Sequence, residues 1–102
     1  MKLARTILLI DDEAAWLRTL AITLNRLVPE AEIDTCIDSR QVQNRLQVGD
    51  YALVLVDLTM PFHSGEDILA MVRSDFPNTR VIIVTGVNEV DTAVRCIKNG
   101  AY

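Results

Sequence analysis

The sequence predicts an α/β fold, a doubly wound parallel sheet with four strands and four helices, and three observations carry that prediction. First, Ile7 to Ile10, Leu53 to Val56 and Val81 to Val84 are short apolar runs rich in β-branched residues, the pattern of strands buried on both faces. Second, helix-length segments alternate with them. Third, each run ends abruptly in polar groups: Asp11 and Asp12, Asp57, and Thr85. In a parallel sheet those endings share one edge, and open α/β sheets bind ligands in the crevice outside the carboxyl ends of their strands.

Each element follows from local pattern. Thr6 to Ile10 is the first strand. Ala14 to Leu27 is the first helix, with Leu17, Leu20, Leu24 and Leu27 recurring at helical spacing, and Pro29 closes that region. Ala31 to Cys36 alternates Ile33 and Thr35 with Glu32 and Asp34, as expected near a sheet edge. A second helix starts after Ser39, which has N-cap chemistry, and runs through Val42 and Leu46 to Gly49. Leu53 to Val56 is the most hydrophobic strand and should be central. The loop Leu58 to Ser64 contains Pro61, and Gly65 precedes a helix bearing Ile68, Leu69, Val72 and Phe76. Pro77 and Asn78 turn the chain into Arg80 to Val84. Glu89 to Asn99 is the fourth helix, stopped by Gly100. The alternation calls for another strand where the sequence ends at Tyr102, so the expected domain, residues 1–102, is cut before its last strand and helix.

Bulk properties narrow the function classes. The 102 residues suit one domain, and 50% hydrophobic with 24% charged residues is ordinary for a globular core. A formal net charge of −4 argues against nucleic-acid contact by this segment. The longest apolar stretch is far short of a membrane span, and the amino terminus lacks signal-peptide features, so a cytoplasmic location is expected. Cys36 and Cys96 stand far apart in apolar contexts and read as reduced thiols.

Asp11, Asp12 and Asp57 concentrate negative charge that repels itself unless a cation or proton compensates it. Mg²⁺ is the economical cation, because it takes one or two carboxylates and leaves positions for phosphate oxygens. With a carboxylate nucleophile in reach, such a site suits phosphoryl transfer to Asp57, and the Thr85 hydroxyl could donate to the product. Blander readings exist for each residue alone. Asp11 or Asp12 could cap the helix near Ala14, Asp57 could cap a turn, and Thr85 could bond backbone. Their joint placement at three strand ends favours the site. His63 reads as a solvated loop residue and Trp16 as packing. No glycine-rich phosphate cradle is present.

On these residues the chain resembles the receiver domain of bacterial two-component response regulators: Asp11, Asp12 and Glu13; Asp57 with Met60, Pro61 and Gly65; Thr85 followed by Gly86; and Lys98, Asn99, Gly100 and Ala101. The resemblance implies a flavodoxin-like fold and a phospho-acceptor at Asp57. It makes Asp12 a principal Mg²⁺ ligand with Asp11 assisting, adds the backbone carbonyl of Thr59, and makes Thr85 the switch hydroxyl. The implied phosphodonor is a phosphohistidine on a sensor histidine kinase or phosphotransfer protein. The segments Gly65 to Ile68 and Gly100 to Tyr102 are similar to receivers of transcriptional activators or hybrid kinases, so an output domain, transcriptional in kind, is an expected partner.

Two features of the family have no counterpart in the sequence: a lysine a few residues past the position of Tyr102, and the switch aromatic before it. The expectation is a chain that keeps the metal site and acceptor but phosphorylates poorly as cut. One alternative is a degenerate receiver serving only as a protein-interaction domain. Another is a Mg²⁺-dependent aspartyl-phosphate hydrolase, which needs an acid/base two residues after its nucleophile, where this chain has Thr59. The expected reading is therefore a signalling domain acting on itself, not an enzyme. An unpaired sheet edge leaves room for a homodimer.

Overall fold

A computed structural model of the chain describes residues 6–84 and 98–102. The elements are β1 (Thr6–Ile10), α1 (Ala14–Leu27), β2 (Glu32–Cys36), a 3₁₀ turn (Ser39–Gln41), α2 (Val42–Val48), β3 (Leu53–Asp57), α3 (Gly65–Asp75) and β4 (Arg80–Val84). Most of the fourth expected helix, together with Thr85 and Cys96, lies outside the described residues.

All strand pairings are parallel, in the order β2-β1-β3-β4. The polar second strand is at one end, as its alternation implied, and β3 sits between β1 and β4. The chain moves outward from β1 to β2, then crosses back to β3 on the other side of β1. That reversal creates a switch point, where neighbouring strand ends diverge and open a crevice.

Pleating divides the sheet into two faces. Leu8, Ile10, Val54, Val56 and Val81 form one core with Val42 and Leu46 of α2 and Ile68, Leu69 and Val72 of α3. Each such side chain contributes about 1.5–3 kcal/mol by leaving water. On the opposite side, Leu9 and Leu17 are buried, whereas Leu53, Leu55 and Ile82 are only half-buried. Helix α1 packs chiefly against β1 and β2.

Two sequence expectations need correction. Leu27 is 70% exposed rather than inward, because it is the last residue of α1 and only Leu17 of the expected stripe is fully buried. Ser39 does not cap the second helix. Asp38 holds the N-cap position of the 3₁₀ turn that precedes α2, its carboxylate accepting from the Arg40 amide, while Ser39 is buried inside that turn.

Candidate functional site

The carboxyl ends of β1 and β3 meet at the switch point. Register brings Ile10 beside Val56, so Asp11, Asp12 and Asp57 follow side by side. One oxygen from each of the three carboxylates lies within 4.8 Å of the other two. Backbone bonds extend both ladders past the strand ends: the Asp11 amide donates to the Cys36 carbonyl at 3.2 Å, and the Leu58 amide to the Val84 carbonyl at 3.1 Å. The carboxylates therefore hang from a fixed frame.

Their environments differ. Asp11 is buried, Asp12 exposed and Asp57 half-buried. Burial pushes the Asp11 carboxyl above its ordinary range, partly opposed by the Glu13 amide that donates to its Oδ1 at 3.0 Å, and the neighbouring carboxylates of Asp12 and Glu13 push it further up. The cluster thus carries unfavourable charge that a hard cation would relieve. Ligands held about 2.1 Å from Mg²⁺ lie about 3–4 Å apart, so small side-chain rotations suffice to close the observed group on one ion. The donor set, all oxygen and anionic, fits that ion rather than a soft metal.

Neither Asp11 nor Asp12 caps α1: its N-cap residue is Glu13, with no side-chain cap bond. The helix-cap reading of the acidic pair is thereby removed. Trp16 is 44% exposed and lines a small crevice with Asp11, Asp57 and the apolar Leu9, Leu17 and Leu55. His63 is exposed, as expected. Thr59 lies exposed two residues beyond Asp57. Beside Asp12 a cavity of about 220 Å³ opens between Ile37, Met60 and Phe62.

The family model for the response regulator receiver domain matches residues 7–102. The chain belongs to that family. It is 38% identical over 95 residues to the alginate biosynthesis transcriptional regulatory protein AlgB of Pseudomonas putida, covering 93% of this chain and 21% of that protein. With the photosynthetic apparatus regulatory protein RegA of Rhodobacter capsulatus it shares 30% identity over 99 residues, covering 95% and 52%. Among solved structures it is similar to a response regulator receiver domain protein from Clostridium thermocellum, with a TM-score of 0.87, 32% identity, and coverage of 98% and 79%. It is also similar to the beryllofluoride-activated NtrC4 receiver domain dimer, with a TM-score of 0.86, 28% identity, and coverage of 96% and 79%. The chain thus spans between about a fifth and about half of these curated relatives. Receiver domains are signalling domains, and membership sets this chain within two-component signal transduction.

Within this receiver domain the loop from Leu58 to Ser64 holds features that sequence reasoning missed. Gly65 opens α3 rather than merely preceding it, and its amide donates to the Leu58 carbonyl at 2.9 Å. A Cβ there would sit 2.8 Å from the Asp57 carbonyl oxygen, so only glycine lets α3 start against the end of β3. Ser64 and Asp67 form a reciprocal capping box, a pattern readable as Ser-x-x-Asp before an apolar run. At the loop tip the Ser39 hydroxyl bonds to Pro61 and His63, and no local sequence signal announces a contact across more than twenty positions.

Proposed function

We propose that the 102 residues act as one receiver domain in which Asp57 accepts a phosphoryl group from a phosphohistidine on a sensor histidine kinase or phosphotransfer protein. The observation that carries the reading is the convergence of Asp11, Asp12 and Asp57 within 4.8 Å at the switch point. In the transfer, an Asp57 carboxylate oxygen forms a bond to phosphorus while the bond from phosphorus to imidazole nitrogen breaks, and the imidazole keeps the electron pair and takes up a proton. The product is an acyl phosphate. Asp12 and Asp57, with Asp11 assisting and the Thr59 backbone carbonyl completing the set, would hold Mg²⁺. Once bound, that ion neutralises carboxylate and phosphoryl charge.

Asp11 has a further task. Its Oδ1 accepts from the Glu13 amide, fixing the turn that aims Asp12 at the crevice. Thr85 follows directly on β4 in the sequence, and its hydroxyl serves as the switch that donates to the phosphorylated Asp57. An output domain, transcriptional by analogy with the relatives, reads that change, and a homodimer is a further partner. No described helix is long and apolar enough to cross a membrane.

Intact-mass measurement after incubation with Mg²⁺ and acetyl phosphate tests the reading. A slow, partial mass gain of one phosphoryl group is expected in the wild type, as befits poor phosphorylation, and none in Asp57→Asn. An adduct that persists in Asp57→Asn, or none in either protein, contradicts it. Steady phosphate release without an adduct would make the chain a hydrolase, a chemistry for which Thr59 stands where an acid/base is needed.

A further inference from the structure

Phe62 combines two unfavourable features. Its φ is +71°, a conformation that L-residues with bulky side chains rarely adopt, and the residue is 66% exposed. The His63 amide donates to the Pro61 carbonyl at 2.9 Å, so Pro61, Phe62 and His63 close a γ-turn of the rarer, strained hand. Such a backbone persists only where its surroundings over-determine it.

Those surroundings are Asp38, Ser39 and Arg40. The Ser39 hydroxyl bridges both arms of the turn, donating to the Pro61 carbonyl at 2.6 Å and accepting from the His63 amide at 3.1 Å. Ser39 is 5% exposed, so both part-buried bonds are partly shielded from competing water. Arg40 lies 3.9 Å above the Phe62 ring. Its guanidinium is anchored in turn by two bonds to the Asp38 carboxylate, at 3.0 and 2.9 Å. The loop that carries Thr59 is thus fastened at its ends by the Gly65 amide and at its tip by Ser39.

We infer that Ser39 is a positioning residue for the acidic site, clipping the strained turn at Phe62 so that the loop from Leu58 to Ser64 presents its backbone to a metal bound by Asp12 and Asp57. The inference rests on the Mg²⁺ reading above. Ser39 touches neither the ion nor the phosphoryl group. It acts by limiting the loop's freedom, in the way outer-shell partners orient metal ligands.

The test compares wild type, Ser39→Ala and Ser39→Thr by calorimetric Mg²⁺ titration, with Trp16 fluorescence as a second signal and amide exchange as a third. Ser39→Ala should raise the Mg²⁺ dissociation constant roughly tenfold and speed exchange at the amides of 58–64, leaving β1 and α1 protected. Ser39→Thr, which keeps the hydroxyl, should restore most of the affinity. Should Ser39→Ala fail to fold, Ser39→Cys, similar in size and a weak hydrogen-bonding group, takes its place. Mg²⁺ affinity unchanged in a folded Ser39→Ala or Ser39→Cys overturns the positioning role and leaves the metal reading intact. A wild type that binds no Mg²⁺ overturns the metal reading and the positioning role with it.

Discussion

Asp11 and Phe62 are both held in states that their own chemistry disfavours, one by charge and one by backbone. For Phe62 the consequence is measurable by urea denaturation. Phe62→Gly should remain within about 1 kcal/mol of wild type, because relief of the left-handed backbone offsets the lost contact with Arg40 and the added chain entropy. Phe62→Val should lose about 1–2 kcal/mol, since a β-branched residue fits that conformation worst. Equal stability of the two variants would show that the turn is not strained. At this scale the acidic residues were legible because the endings of β1 and β3 share an edge in any parallel sheet. The clip was not, because Ser39 looks like an ordinary helix cap until the fold brings Pro61 and His63 to it.

The elements were largely written in hydrophobic period and punctuation. All four strands fall where apolar runs or alternation put them, and β2 takes the edge that its polar residues suit. What the pattern could not supply were contacts between elements. The start of α3 illustrates this, because Gly65 reads as a simple break in sequence yet sits against the backbone of Asp57 and Leu58. Gly65→Ala should cost about 1–3 kcal/mol through overpacking and slow the Mg²⁺-dependent labelling of Asp57 by acetyl phosphate. Normal labelling in a stably folded Gly65→Ala would show that this close approach does not set the acceptor's position. Tyr51 offers a second case, tying the approach to β3 to the edge strand through its hydroxyl, which donates to Asp34 at 2.7 Å. Burial, and then the Asp34 carboxylate, raise the Tyr51 phenol above its usual 10.0. The folded chain therefore keeps that proton longer than the unfolded chain. The associated stability is complete below the ordinary phenol range and is lost as pH climbs through the raised value. Tyr51→Phe should cost about 0.5–1.5 kcal/mol and flatten that alkaline decline in thermal melts.

The molecule as a whole joins a well-filled core under α2 and α3 to a crevice whose charge works against the fold. Folding places Asp11, Asp12 and Asp57 together at some cost, and a cation that binds only the folded state returns stability in proportion to the logarithm of its concentration. Asp12→Asn should therefore melt higher than wild type in a chelator and gain little from added Mg²⁺, whereas the wild type should gain about 2.7 kcal/mol at a hundred times its dissociation constant. The fold class was legible at this scale because apolar runs alternating with helix-length segments call for a parallel sheet, although β4, as apolar as β3, stands at the end of the described order. The half-burial of Leu53, Leu55 and Ile82 was not, because periodicity records which residues are apolar and says nothing of how fully their neighbours cover them. The most direct check on the account is a crystal of the protein grown with Mn²⁺, an oxygen-seeking stand-in for Mg²⁺ visible by anomalous scattering. One peak per chain is predicted, at coordination distance from carboxylate oxygens of Asp12 and Asp57 and from the Thr59 carbonyl. A peak elsewhere, or a well-ordered site with the three carboxylates splayed apart and no metal between them, would contradict it.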